Sequence, residues 1–161
     1  MTVLIDTARA KVNLALRVLG RRDDGYHELA SLVAFAAFGD RVSIDLDQAP
    51  GVACDGPFAA AIEGPNLISK TLDLLAGEDC DMRLGTVTLT KLLPVAAGLG
   101  GGSADAAAVL RLVRAHNLER AQSIDWHGLA LRLGADVPVC LASRTCVMRG
   151  IGERLAPCDM P

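Results

Sequence analysis

The chain has 161 residues, 51% of them hydrophobic and 22% charged, with a formal net charge of -3 at neutral pH. It is long enough for one domain with a real core, too apolar to be disordered, and too acidic for broad electrostatic binding to nucleic acid. No apolar run approaches the ~18 residues needed to cross a membrane, and Met-Thr-Val-Leu-Ile-Asp shows no signal peptide, so a cytoplasmic chain is expected. The five cysteines, Cys54, Cys80, Cys140, Cys146 and Cys158, are odd in number and form no Cys-x-x-Cys pair. They read as small buried hydrophobes. The three histidines, His27, His116 and His127, lack metal-ligand spacing.

Ala8 to Leu19 alternates with the period of a half-buried strand: Val12, Leu14, Leu16 and Val18 share one face, and Lys11, Asn13, Ala15 and Arg17 the other. Lys11 and Asn13 therefore point the same way, roughly 7 Å apart. Such a lysine is either solvated or, if covered, in need of an anionic partner. Gly20 to Gly25 is a charged turn. Tyr26 and His27 follow it, either capping the core or offering an aromatic platform to a planar ligand. After the apolar run Leu29 to Phe38, Gly39-Asp40 reads as a turn. Val42, Ile44 and Leu46 then mark a second strand with one solvated face.

Gln48 to Pro65 is loop-like, with a short strand near Val52. Asn66 is a helix N-cap for Leu67 to Leu75, with Gly77 as the stop. Thr86 to Leu92 is a strand that delivers Pro94-Val-Ala-Ala-Gly-Leu-Gly-Gly-Gly-Ser103 into an alanine-rich helix, Ala104 to Ala115. That helix is apolar nearly all round and is expected to be buried, with Asp105 in its first turn suiting the helix dipole. Ser123 or Asp125 caps a further helix through Leu133. Gly134-Ala135-Asp136 then breaks into Val137 to Leu141, and Thr145 to Met148 and Arg154 to Leu155 are the final strands. The order implies an α+β fold, helices packed on a mixed, mainly antiparallel sheet.

Four glycines in five residues, at 98, 100, 101 and 102, precede the unpaired N–H groups of a helix start. Glycine lets a ligand approach the backbone closely, and the helix start favours an anion, most often phosphate. The plainer alternative is a glycine-rich turn. The Walker A pattern fails because Gly102 stands where a lysine belongs. The dinucleotide fingerprint fails because Ser103 stands in its third glycine position, and protein-kinase signatures are absent.

Pro94, Gly98, Leu99, Gly100, Gly102 and Ser103 resemble the phosphate loop of the GHMP small-molecule kinases. Ala8-Arg-Ala-Lys-Val-Asn-Leu14, Gly20-Arg-Arg-Asp-Asp-Gly-Tyr-His-Glu-Leu29, Leu133-Gly-Ala-Asp-Val-Pro-Val139 and Gly150-Ile-Gly-Glu153 resemble, in order, the other motifs of the branch that phosphorylates a cytidyl-diphosphate methylerythritol in non-mevalonate isoprenoid synthesis. The resemblance implies the two-layer N-terminal domain of that family and ATP-dependent transfer to the substrate's 2-hydroxyl. Asp136 would be the general base. Lys11 beside it would neutralise charge during transfer, which meets the needs of phosphoryl transfer for positioning and positive charge.

The same resemblance implies that Asn13, Tyr26, His27 and Ile151 contact the substrate, Tyr26 by stacking on cytosine. Asn66, Lys91 and the stretch Pro94, Val95, Ala96, Ala97, Gly98, Leu99, Gly100, Gly101, Gly102, Ser103 and Ala104 would hold ATP, with Ser103 reaching Mg²⁺ through its hydroxyl. Family chains are longer, so residues 1–161 are expected to be the ATP-binding N-terminal domain, with the C-terminal domain missing from this chain. Such a chain would lack one wall of its cleft and expose a surface that offers a route to a homodimer. Two alternatives stand beside the leading reading: a non-catalytic nucleotide-binding fragment, and another GHMP kinase of the homoserine or mevalonate type.

Overall fold

The computed structural model describes residues 2–158 apart from 24 and 65. Met1, Asp24 of the charged turn, Pro65 of the loop and Asp159 to Pro161 therefore lie outside the described residues. Two long strands, β1 (Val3–Arg21) and β2 (His27–Asp45), pair antiparallel and carry the rest of the sheet. The opposite edge of β2 is shared. One end of it, Arg41 to Asp45, pairs antiparallel with the strand Thr86–Thr90, and the other, Leu29 to Val33, with the strand Cys146–Gly150. In chain order, β3 (Gly51–Asp55) runs parallel to β4 (Thr86–Thr90), and β5 (Cys146–Gly150) continues antiparallel to β6 (Arg154–Pro157). The six-stranded sheet is mixed and mainly antiparallel, as expected.

Gly39-Asp40 is not a turn. The chain passes straight through it inside β2. The signal read as a turn marks an irregularity of the ladder instead: Arg9 pairs with Gly39 but Lys11 pairs with Phe35, so residues 36–38 of β2 stand opposite Ala10 alone. Such a bulge bends a strand and re-aims its side chains. Gly39 is required there because a Cβ would lie 2.0 Å from the carbonyl oxygen of Ala8.

Two further register shifts in β1 overturn the expectation of one buried apolar face. Lys11 is 3% exposed, whereas Leu14 and Leu16 are more than half exposed. The shift between Asn13 and Ala15 reverses the alternation, because a single-residue slip sends every later side chain to the other face. Val18, paired with Leu29, thereby joins the face that carries Lys11 and Asn13.

Among the described residues, four α-helices pack together, and the second of them lies directly on β1 and β2. α1 (Leu67–Glu78) is capped by Asn66, whose Oδ1 accepts from Ile68 N at 3.0 Å, and runs through Gly77 rather than stopping at it. α2 (Gly101–His116) starts three residues before the alanine run, so Asp105 sits beyond the first turn. α3 (Trp126–Leu133) is capped by Asp125, not Ser123. Val137–Ala142 forms a short helix, α4. The core lies between α2 and the inner face of the sheet, where Val42, Ile44, Val87, Ala106 to Val109 and Leu110 are fully buried. Each large aliphatic side chain so buried contributes roughly 1.5–3 kcal/mol, and the alanines let α2 lie close on the strands. Cys140 and Cys146 are buried as expected; Cys54 and Cys80 are exposed, a correction. No described helix is long and apolar enough to cross a membrane.

Candidate active site

The loop from β4 to α2 wraps a cavity of about 420 Å³ lined by Pro94 to Ser103, Asn66, Lys91 and Asp105. Strand β1 anchors this loop: Lys11 N donates to Leu99 O at 2.9 Å. Gly100 then turns left-handed, φ 65°, as the N-cap of α2. The first bond of the helix runs from Ala104 N to Gly100 O at 2.8 Å. The amides of Gly101, Gly102 and Ser103 precede that bond and are the orphan donors of the helix start. Ala104 is itself buried, its amide already engaged, and it does not line the cavity. Nothing lies within 4 Å of where a side chain would begin at Gly98 or Gly102. Both residues line the cavity, so protein fills neither of those two positions.

Beneath the loop lies a buried charge cluster. Lys91, Asp40 and Asp105 are 3%, 0% and 3% exposed. Lys91 Nζ donates to Asp40 Oδ2 and, at 3.0 Å, to Asp105 Oδ2. Asp40 Oδ1 accepts from Leu92 N at 2.6 Å and Leu93 N at 2.7 Å. Burial pulls the Lys91 ammonium toward neutrality, but bonds and charge from the two carboxylates outweigh it and hold its pKa above the ordinary value. Burial pushes Asp105 up to about 7; Lys91 opposes the shift and Asp40 adds to it. Oδ1 of Asp105 is buried without a hydrogen-bond partner.

One step from the cavity, Lys11 Nζ lies 3.1 Å from Asp136 Oδ2. The lysine side chain is 3% exposed and the aspartate side chain 44%, so the ammonium is enclosed while the carboxylate faces outward. Lys11 is thus the covered lysine with an anionic partner. Asp136 stands at the N-cap position of α4, yet its side chain makes no capping bond; it is turned to Lys11 instead. Arg111 of α2 fixes this arrangement. Its Nε donates to Asp6 on β1 and its Nη1 to the carbonyl of Cys140 on α4, both at 2.7 Å.

Beyond Asp136 a second cavity, of about 360 Å³, is lined by Val18, Tyr26, His27, Leu29, Ala135 and Ile151. The turn carrying Ile151 is closed by Glu153, whose Oε2 accepts from Ile151 N at 2.7 Å. It packs tightly on Ala135, because a Cβ on Gly152 would lie 2.6 Å from the Ala135 carbonyl oxygen. Asn13 stands beside Lys11: its Oδ1 accepts from Ser31 Oγ at 3.1 Å and from Lys11 Nζ at 3.5 Å.

The structure therefore brings together Lys11, Asn13 and Asp136, gathers Tyr26, His27 and Ile151 at one cavity, and gathers Asn66, Lys91 and Pro94 to Ser103 at the other. Sequence reading missed Asp40, Asp105 as a partner of Lys91, Arg111 and Val18. Asp40 was hidden by the glycine before it. Val18 was assigned to the wrong face because the bulges in β1 leave no trace in the alternation.

Residues 66–144 match the GHMP kinases N terminal domain. Among curated proteins, the chain is 50% identical over its whole length to the 4-diphosphocytidyl-2-C-methyl-D-erythritol kinase of Bradyrhizobium diazoefficiens, covering 55% of that protein. It is 51% identical over 97% of its length to the kinase of the same name from Azorhizobium caulinodans, again covering 55% of it. The chain thus spans about half the length of the curated relatives it matches. It superposes on a crystal structure of 4-(cytidine 5'-diphospho)-2C-methyl-D-erythritol kinase with a TM-score of 0.77 and 41% identity, covering 98% of this chain and 56% of that one. A homoserine kinase from Cytophaga hutchinsonii shares the fold, with a TM-score of 0.65 at 16% identity.

Proposed function

We propose, from the match of residues 66–144 to the GHMP kinases N terminal domain, that this chain is the ATP-holding part of a cytoplasmic 4-diphosphocytidyl-2-C-methyl-D-erythritol kinase. The observation that carries the reading is the place of the Lys11–Asp136 pair. Gly100 of the phosphate loop packs on the Lys11 side chain, 3.1 Å from where its own Cβ would stand, and Ala135 beside Asp136 lines the second cavity. An ATP triphosphate on the loop and a cytidyl substrate against Tyr26 would meet at this pair. The names of the relatives support that choice of substrate.

In this reading the substrate's 2-hydroxyl oxygen attacks the γ-phosphorus of ATP, and its proton passes to Asp136. The bond to the bridging oxygen breaks and ADP leaves with the electron pair. Phosphoryl transfer asks little covalent chemistry of a protein and much positioning and positive charge. Lys11 supplies an enclosed cation, and the amides of Gly101 to Ser103 supply donors at a positive helix end. Mg²⁺ fits the residues present: it takes few protein ligands and keeps phosphate and water oxygens, and Ser103, with its hydroxyl, is among the residues that line the cavity. Held there by Ser103, it would neutralise phosphate charge. Asp105 Oδ2 is engaged by Lys91.

The test is ADP release with ATP, Mg²⁺ and the cytidyl substrate, on the chain extended to the length of its relatives. Absence of turnover sinks the reading. A second reading, a nucleotide-binding fragment without turnover, is favoured by the chain's spanning about half of its relatives. Calorimetry with ATP and Mg²⁺ beside a turnover assay on residues 1–161 separates the two, since binding without turnover selects the fragment.

A further inference from the structure

We infer that Asp40 is a positioning residue for nucleotide binding: it holds the Lys91 ammonium and the amides of Leu92 and Leu93 so that a cation is fixed under the first turn of α2, where a polyphosphate lies. The inference rests on the nucleotide reading above. Asp40 occupies the stretch of β2 between its two neighbours. The ladder to β4 ends at Arg41 and Thr90, and one residue further the Asp40 side chain takes over, receiving two consecutive backbone N–H groups as the chain turns toward the loop.

Its carboxylate is fully buried and both oxygens are occupied. Buried ion pairs are poor devices for stability, since well-packed apolar residues of similar size often do as well or better. A carboxylate in this place therefore asks for another reason. The reason lies in what it holds. Lys91 Nζ is 2.9 Å from where a Cβ on Gly101, the first residue of α2, would stand. The start of a helix carries partial positive charge, so an ammonium set against it is repelled unless anions hold it. Asp40 holds it from the sheet and Asp105 from the helix.

These two contacts use two of the three ammonium N–H groups. The third has no acceptor among the described residues, and Lys91 lines the cavity. A cation and a helix end thus reinforce one another at a place where phosphate oxygens relieve the repulsion. Asp40 acts there through Lys91 and touches no ligand.

The experiment measures affinity for ATP with Mg²⁺, and for adenosine, in the unaltered chain, Asp40→Asn, Lys91→Met and the double variant. Asparagine keeps the volume and an acceptor for the two amides but gives up the charge on Lys91. The expected result is an about tenfold loss of ATP affinity in each single variant, no further loss in the double, and adenosine affinity within about twofold throughout. ATP affinity unchanged in Asp40→Asn, losses that multiply in the double, or equal loss for adenosine, as a merely structural role would give, overturns the inference. If Asp40→Asn does not fold, Asp40→Ser, which keeps a small acceptor and gives up the charge, takes its place: ATP affinity within twofold of the unaltered chain overturns the inference, and a tenfold loss confined to ATP supports it. An unaltered chain that binds no ATP overturns the nucleotide reading, and the role of Asp40 falls with it. Binding that survives in Asp40→Asn overturns the role of Asp40 alone.

Discussion

The Lys11 ammonium lies 3.1 Å from Asp136 Oδ2; Gly100 of the loop that lines one cavity packs on the Lys11 side chain, and Ala135, next to Asp136, lines the cavity that holds Tyr26, His27 and Ile151. Lys11 is enclosed and Asp136 is not, so Lys11→Met leaves a carboxylate that can still reach water. The cost of an unpaired buried charge is thereby avoided. Lys11→Met is expected to keep its melting temperature within a few degrees while phosphoryl transfer falls roughly 10²–10³-fold. Calorimetric melting beside an initial-rate assay checks both, and an equal fall in folded population and rate would make Lys11 a structural residue.

Gly100 and Gly102 separate the fold of the loop from its use. Gly100 has φ 65° and packs on Lys11, so Gly100→Ala strains both backbone and neighbour and is expected to lower stability by about 1 kcal/mol or more. Gly102 has no neighbour within 4 Å. Gly102→Ala is expected to leave stability unchanged or raise it by up to about 1 kcal/mol, while ATP affinity falls because the new methyl enters the cavity. Denaturant melts and calorimetry on the two variants distinguish them; unchanged ATP affinity in Gly102→Ala would contradict the loop's role.

Tyr26 is 57% exposed at the mouth of the second cavity. Stacking a base on an aromatic ring is worth roughly 1–3 kcal/mol. Tyr26→Ala is therefore expected to raise KM for the cytidyl substrate about 5- to 150-fold, with ATP affinity and melting temperature little changed. A KM that stays put would remove Tyr26 from the substrate site.

Glu153 gives a pH dependence whose sign is fixed. Burial pushes its carboxyl up, but the amides of Glu153 and Ile151, with Arg154 and Arg22 nearby, hold it below the ordinary value of 4.5. A carboxyl lowered in the folded state contributes stability that is complete above its unfolded pKa and is lost as pH falls through the folded one. Glu153→Gln is expected to flatten the acid limb of stability measured by urea melts from about pH 7 to about pH 3. An acid limb identical to that of the unaltered chain would show that the turn does not depend on this charge.

The sequence carried the order of elements and most of the site, because helix caps and glycine loops are local signals. Asn66 caps α1 and Asp125 caps α3 through bonds to amides two and three residues away. Asp136 was legible as a residue type but its use was not: whether a side chain caps its own helix or turns to a lysine 125 positions earlier depends on how α4 is held over β1, which Arg111 decides. The least legible feature was Asp40. Its partners lie 51 to 53 residues away, and the bulge that brings it to them requires knowing that residues 36–38 of β2 face a single residue of β1. Alternation shows which side chains share a face only until the first bulge.

The most direct measurement is ADP release on mixing ATP, Mg²⁺ and 4-diphosphocytidyl-2-C-methyl-D-erythritol with the chain extended to the length of its relatives, unaltered and as Asp136→Asn. The expected result is turnover in the unaltered protein and a loss of roughly 10²–10⁴-fold in Asp136→Asn, with ATP affinity preserved. No turnover in the unaltered protein, or undiminished turnover in Asp136→Asn, would contradict the assignment of the Lys11–Asp136 pair to the reaction.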